Sequence, residues 1–288
     1  MKKLIIFCLS LYLVSCATSS DAPTTEDAAG SNNSESSSGS TVDTKPVTEA
    51  AKGEKSDDKP APPPVAVSMY ASLNDAIKSQ NDDGIQKAAS DILMQNPKDI
   101  RGLNALAVVN YKKGRYEAAQ YLLNKAIAAN GNSSELYGNL GLVYLAKNDR
   151  KEAVKQFRKA LQVNPQDAIA GANLGSIYIQ EKDYNKASLA LEIAVKKGLK
   201  DPKILTNYAI TLAATGKTKE AADMYEKILK DNASNKEAML NFAILQIEVL
   251  QKNKEGLDLL NRLKFVGAPL ESRETIKSLE IKAKAGLQ

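Results

Sequence analysis

Asn139, Asn173, Asn207 and Asn241 stand 34 residues apart. A carboxamide offers one acceptor oxygen and two N–H donors, so it can bond both the C=O and the N–H of an extended peptide. A row of them could hold a peptide backbone whatever its side chains. The alternative is that each Asn only satisfies a neighbouring backbone group. Catalytic chemistry has less to work with. The 288-residue chain has no His, and its two Cys, Cys8 and Cys16, lie within the first sixteen residues. That removes Ser–His and Cys–His nucleophile pairs, imidazole bases and His zinc sites. No thiol remains further along for a disulfide or a thiolate metal cage. Neither a G-x-x-x-x-G-K-[ST] loop nor a G-x-G-x-x-G turn occurs. The carboxylate pairs Asp57-Asp58 and Asp82-Asp83 fall in a linker and at a turn, where they read as solvated. A glycosidase built on carboxylates alone needs two acids about 5–10 Å apart in a cleft, and no spare domain is left to hold them. The chain reads as a binding protein, not an enzyme, with no cofactor and no metal.

The Asn row needs elements that repeat with it. From residue 66 onward apolar residues recur at helical spacing, in short segments broken by Gly, Asn, Asp or Lys. Tyr137-x-x-Leu140-Gly141-x-x-Tyr144 lies over Gly171-x-x-Leu174-Gly175-x-x-Tyr178 at a shift of 34. Ala153-x-x-x-Phe157 lies over Ala187-x-x-x-Leu191, and a further shift reaches Ala221-x-x-x-Tyr225. The small residues let two helices approach to about 8–10 Å. Gly114, Asn148 and Gly216 fall where a left-handed residue would end the first helix. Three and six residues after the Asn position stand Val108, Leu142, Leu145, Ile179, Ile210, Ile244 and Ile247. They read either as an exposed apolar floor beside the Asn row or as residues buried against the next helix.

This period and these residues resemble the tetratricopeptide repeat, a 34-residue helix–turn–helix with the pattern W-x-x-L-G-x-x-Y, A-x-x-x-F and P. Residues 134–167 carry it most fully, through Tyr137, Leu140, Gly141, Tyr144, Ala153, Phe157 and Pro165. The resemblance covers some three quarters of the chain. It implies an all-α right-handed superhelical solenoid of six repeats, 66–99, 100–133, 134–167, 168–201, 202–235 and 236–270, within a domain spanning 66–288. In the last repeat the second helix slips by one residue, so Gly256 takes the small position. A terminal helix at 271–286 reads as a solvating cap around a sparse apolar stripe of Ile276, Leu279 and Ile281. The resemblance further implies that the first helices line a concave groove holding a protein or peptide segment, with the Asn row inside it.

The first residues carry an address. Lys2 and Lys3 precede an apolar run from Leu4 to Val14, too short to span the ~30 Å hydrocarbon core of a membrane. This reads as a signal peptide, residues 1–15. Leu13-Val14-Ser15-Cys16 resembles the bacterial lipobox, which implies cleavage before Cys16 and its lipidation. Two or more acyl chains anchor stably where one does not. With Ala17 after the Cys, the resemblance implies the outer membrane, facing the periplasm. Residues 17–65 hold nine acidic and four basic side chains, with runs such as SNNSESSSGS and KPAPPPV. Such a segment buries too little apolar surface to offset its ordering entropy and is expected to be a disordered linker. The whole chain has 39 basic and 34 acidic residues. Its Lys residues alternate with Glu, as in KEAVKQFRKA, which reads as a solvated face rather than a nucleic-acid surface. The densest basic run, Lys196, Lys197, Lys200 and Lys203, reads the same way. Lipoproteins resembling this one serve type IV pilus secretins, gliding motility, envelope proteases or outer-membrane assembly. The expectation is therefore an envelope scaffold in a motility, pilus or secretion assembly, or an adaptor for the other two.

Overall fold

The structure, a computed structural model, describes residues 67–288. The signal peptide, Cys16 and the linker all lie outside the described residues. Helices pair in chain order: α1 (Val67–Lys78) with α2 (Asp82–Gln95), α3 (Ile100–Lys112) with α4 (Tyr116–Ala129), α5 (Ser134–Ala146) with α6 (Arg150–Val163), α7 (Ala168–Gln180) with α8 (Tyr184–Lys196), and α9 (Pro202–Ala214) with α10 (Thr218–Asp231). Then come α11 (Lys236–Ile244), α12 (Asn253–Phe265) and α13 (Arg273–Ala285). No strand forms among the described residues, and no helix there is long and apolar enough to cross a membrane.

Each helix packs on its predecessor and its successor, so the array is a stack. First helices also touch across repeat boundaries, α3 with α5, α7 with α9 and α9 with α11. Second helices have no comparable contact with one another. The stack therefore curves with its first helices on the inner side. The alanines that recur in the second helices, Ala119, Ala153, Ala187 and Ala221, are fully buried. So are Ala126, Ala160 and Ala194, seven residues later in each. Larger side chains fill between them, including Phe157, Leu191 and Tyr225, and Tyr225 stacks on Phe242 at 5.5 Å. No pair closes its own apolar face: the buried apolar residues form one large cluster from α5 to α13 and two smaller ones, across α1–α3 and across α3–α5.

Local chemistry marks the helix ends. Asp99, Asp167, Asp201 and Asn235 accept backbone N–H groups at the starts of α3, α7, α9 and α11. Each satisfies a donor that would otherwise lack a partner. Every first helix from α1 to α9 is followed by a residue with positive φ: Gln80, Gly114, Asn148, Lys182 and Gly216. Gln251 does the same before α12. The left-handed conformation costs a residue with a Cβ roughly 1–2 kcal/mol. Lys182→Gly and Gln251→Gly are each expected to stabilise the array by about 0.5–1 kcal/mol, read as a higher urea midpoint.

The one-residue slip in the last repeat has a structural cause. Residues Leu245–Val249 form a π-helical turn between α11 and α12. Its wider i→i+5 bonding takes up one extra residue, and the next turn shifts from the expected place to Gln251. The cap differs from expectation at one position. Ile276, Leu279 and Ala283 face inward and are buried, but Ile281 is 63% exposed. The inward stripe of α13 runs 276, 279, 283 at helical spacing, which turns residue 281 to the opposite side. Lys264 pairs with Glu280 and Lys282 with Glu248, tying α13 to α12 and to the π turn.

Candidate functional site

The inner face is built from the first helices. The Asn row lies on one side of each, and the residue four positions earlier shares that side. In α3, α5, α7, α9 and α11 this earlier position holds, in order, Arg101, Glu135, Ile169, Lys203 and Glu237. Arg101 is exposed and the other four are half-buried. The row alternates in charge along the stack, with an apolar centre at Ile169. Sequence reasoning missed it, although it lies in the same 34-residue register as the Asn row.

The structure divides the Asn row. Asn139 Nδ2 donates to Asn104 Oδ1 at 2.9 Å, and Asn104 Nδ2 donates to Glu135 Oε1 at 2.8 Å. This is a polar chain between two repeats, and both Asn residues are buried. Asn104 precedes the equivalent position, Ala105, by one residue, so a strict period does not reveal it. Asn173 Nδ2 donates to the Ile169 carbonyl and Asn241 Nδ2 to the Glu237 carbonyl, both at 3.0 Å within their own helices. Both are buried. Asn207 differs: it is half-buried, and among the described residues no hydrogen bond engages its carboxamide. Asn139, Asn173 and Asn241 thus each spend a side-chain N–H on an internal bond, and Asn207 does not.

The apolar floor divides too. Leu142, Ile179, Ile210, Ile244 and Ile247 are buried in the core, so packing against neighbouring helices is what they do. Only Val108 and Leu145 of that set remain half-buried. A helix's own period shows which residues share a face, not whether a neighbour covers it.

Electrostatics at the far end of the row is uneven. Burial pushes the Glu237 carboxyl above its ordinary range, and Lys203 opposes that push. A group whose folded pKa is raised binds its proton more tightly folded than unfolded. Its effect on stability is most favourable below the unfolded value and is lost as pH rises through the folded value. Glu237→Gln is therefore expected to raise the unfolding midpoint at pH 7 and to leave it unchanged at pH 3.5, measured by thermal melts at both. At the near end the Tyr70 hydroxyl donates to Asp99 at 2.5 Å. Desolvation first, and then that carboxylate, push Tyr70 up to about 12. Arg101 lies 4.7 Å over the Tyr70 ring, which secures α1 to α3.

Two family profiles, each described as the tetratricopeptide repeat, match residues 101–166 and 137–253. No curated protein matches the chain. Among solved structures, YrrB superposes with a TM-score of 0.59 at 20% identity, covering 69% of this chain and 99% of that one. A tetratricopeptide repeat protein from Parabacteroides merdae superposes at 0.53 with 14% identity, covering 76% of this chain and 89% of its own. PilF of Pseudomonas aeruginosa superposes at 0.50 with 20% identity, covering 69% and 92%. Profile matches, a 34-residue helix register and shared architecture agree: the chain belongs to the tetratricopeptide repeat family.

Proposed function

We propose that the chain is a lipid-anchored adaptor of the bacterial cell envelope that docks an extended segment of another protein along its inner face. Protein–protein scaffolding is what the repeat architecture suits. The observation that carries the docking reading is the inner row itself. Arg101, Glu135, Lys203 and Glu237 alternate in sign beside Ile169, and Asn207 presents an unengaged carboxamide among them. A peptide crossing this face would meet charge of both signs, an apolar contact and a backbone-binding amide. YrrB, which shares the fold, has a peptide-binding site. The lipobox-like Leu13-Val14-Ser15-Cys16 supports a membrane tether through Cys16, at the outer membrane and facing the periplasm. A motility, type IV pilus or secretion assembly is the proposed setting; adaptors for envelope proteases and outer-membrane assembly are the alternatives. The reading assigns the chain no catalysis, no cofactor and no nucleic-acid partner.

The test is crosslinking of the native protein in cells, identification of the partner, and measurement of that partner's affinity for variants. Asn207→Ala is expected to weaken binding by roughly tenfold, while thermal stability stays within about 0.5 kcal/mol, as for surface changes generally. Asn139→Ala is expected to do the reverse. It leaves Asn104 short of a buried partner and lowers stability by about 1–3 kcal/mol. Equal affinity for wild type and for the Asn173→Ala, Asn207→Ala double variant would remove the carboxamides from the mechanism.

A further inference from the structure

A second surface lies away from the inner face. A groove of about 990 Å³ runs along α6 and the facing ends of α7 and α8. Six cations line it: Arg150, Lys151, Lys155, Arg158, Lys159 and Lys186. Only two carboxylates stand among them, Glu152 and Glu181. Glu152 pairs with Lys155 at 3.2 Å, and Lys186 pairs with Asp183 at 2.5 Å. Among the described residues no carboxylate pairs with Arg150, Lys151, Arg158 or Lys159. Arg158 instead donates to the Tyr178 hydroxyl through Nε at 2.9 Å and Nη2 at 2.6 Å. Its guanidinium and the Lys186 ammonium lie 5.8 and 5.7 Å from the Tyr178 ring centre. The stretch KEAVKQFRKA, which reads as an alternating solvated face, gathers its cations along an open groove in three dimensions, with the exposed Arg158 held on the Tyr178 hydroxyl.

The same chain carries a complementary segment. Residues 17–44 contain five carboxylates, Asp21, Glu26, Asp27, Glu35 and Asp43, and no Lys or Arg. Residues 45–66 then balance four Lys against Glu49, Glu54, Asp57 and Asp58. The acidic block is thus set off from α1 by 22 neutral-on-balance residues. At about 3.3–3.6 Å per residue these reach up to roughly 75 Å. The groove sits two repeats along the stack, on the order of 20–40 Å away if helices pack at 8–10 Å. A tethered ligand meets its site at an effective concentration in the millimolar range, above what a free acidic protein offers.

We infer that the acidic segment 17–44 docks in the basic groove of α6, α7 and α8 of its own chain. Docking draws residue 17 toward the third repeat and shortens the reach of the solenoid from whatever holds the segment's start. The contact is electrostatic and is screened by salt, with a Debye length of about 8 Å at physiological ionic strength. A competing polyanion or raised salt therefore frees the segment and lengthens the reach.

The test is zero-length carbodiimide coupling of the full chain in mild detergent, mapped by mass spectrometry, with an equal mixture of ¹⁴N- and ¹⁵N-labelled protein. The expected result is coupling of Asp21, Glu26, Asp27, Glu35 or Asp43 to Lys151, Lys155, Lys159 or Lys186 within one isotopic label. It should be at least fivefold above coupling to Lys196, Lys197 or Lys200, and lost in 0.5 M sodium chloride. Lys151→Glu, Lys155→Glu and Lys159→Glu together should abolish it with the helical circular dichroism intact, since all three side chains are exposed. Coupling spread evenly over the lysines would overturn the inference. Isotopically mixed couples would instead assign the groove to a second copy. Absence of couples, with those lysines required for flotation on phosphatidylglycerol vesicles by a Cys16→Ser chain, would assign it to a lipid surface.

Discussion

Phe157→Ala is expected to lower the thermal midpoint of the solenoid by roughly 6–20 °C. The ring is fully buried and lies directly against Gly141. A Cβ added at Gly141 would come within 2.7 Å of Phe157 Cε1. Removing a buried phenyl group costs about 3–5 kcal/mol, through lost transfer energy and the cavity left behind. For an array of this size each kcal/mol shifts the midpoint by about 2–4 °C. In a stack that is coupled only to its neighbours, the loss should also be local. Hydrogen exchange is therefore expected to accelerate in α5 and α6 more than in α12 and α13. Uniform acceleration along the chain would show that the repeats unfold as one unit.

Gly175→Ala is the second large effect, and its cause is the opposite one. A Cβ at residue 175 would stand 2.4 Å from Leu191 Cγ and 3.3 Å from the Ala187 carbonyl oxygen. The side chain has to give way inside a closed core, and overpacking of this kind costs about 1–3 kcal/mol. Leu191→Ala alone should cost about 2–5 kcal/mol. Because the two changes share one space, the double variant should be less destabilised than the sum by about 1 kcal/mol or more. Urea melts of the four proteins measure this directly. Simple additivity would mean that Gly175 is not held small by Leu191.

These two layers were legible in the sequence because close helix contact allows few residue types. Gly141, Gly175, Ala153 and Ala187 repeat with their large partners, and the helix pairs follow. Other features left weaker traces. Lys182 and Gln251 adopt the same left-handed turn as Gly114 and Gly216, but their side chains do not announce it. The π turn at Leu245–Val249 showed only as a one-residue slip. In the site, the period found the Asn row yet could not tell which members were already engaged. Asn104 accepts from Asn139 from one residue off register, and helix carbonyls each take one N–H of Asn173 and Asn241. Ile179, Ile210, Ile244 and Ile247 carry the right spacing for a groove floor, and a neighbouring helix covers them. The charged row at Arg101, Glu135, Lys203 and Glu237 lay in the register all along. It varies in type from repeat to repeat, so a repeat pattern built on identical residues passes over it.

Site-specific photocrosslinking in cells tests the docking account most directly. A benzoylphenylalanine is placed singly at Ile169 or Lys203 on the inner face, and at Leu189, which is 67% exposed on α8. The account expects a discrete adduct with one and the same polypeptide from both inner positions, and none from Leu189. Adducts from Leu189 alone, with none from 169 or 203, would contradict it.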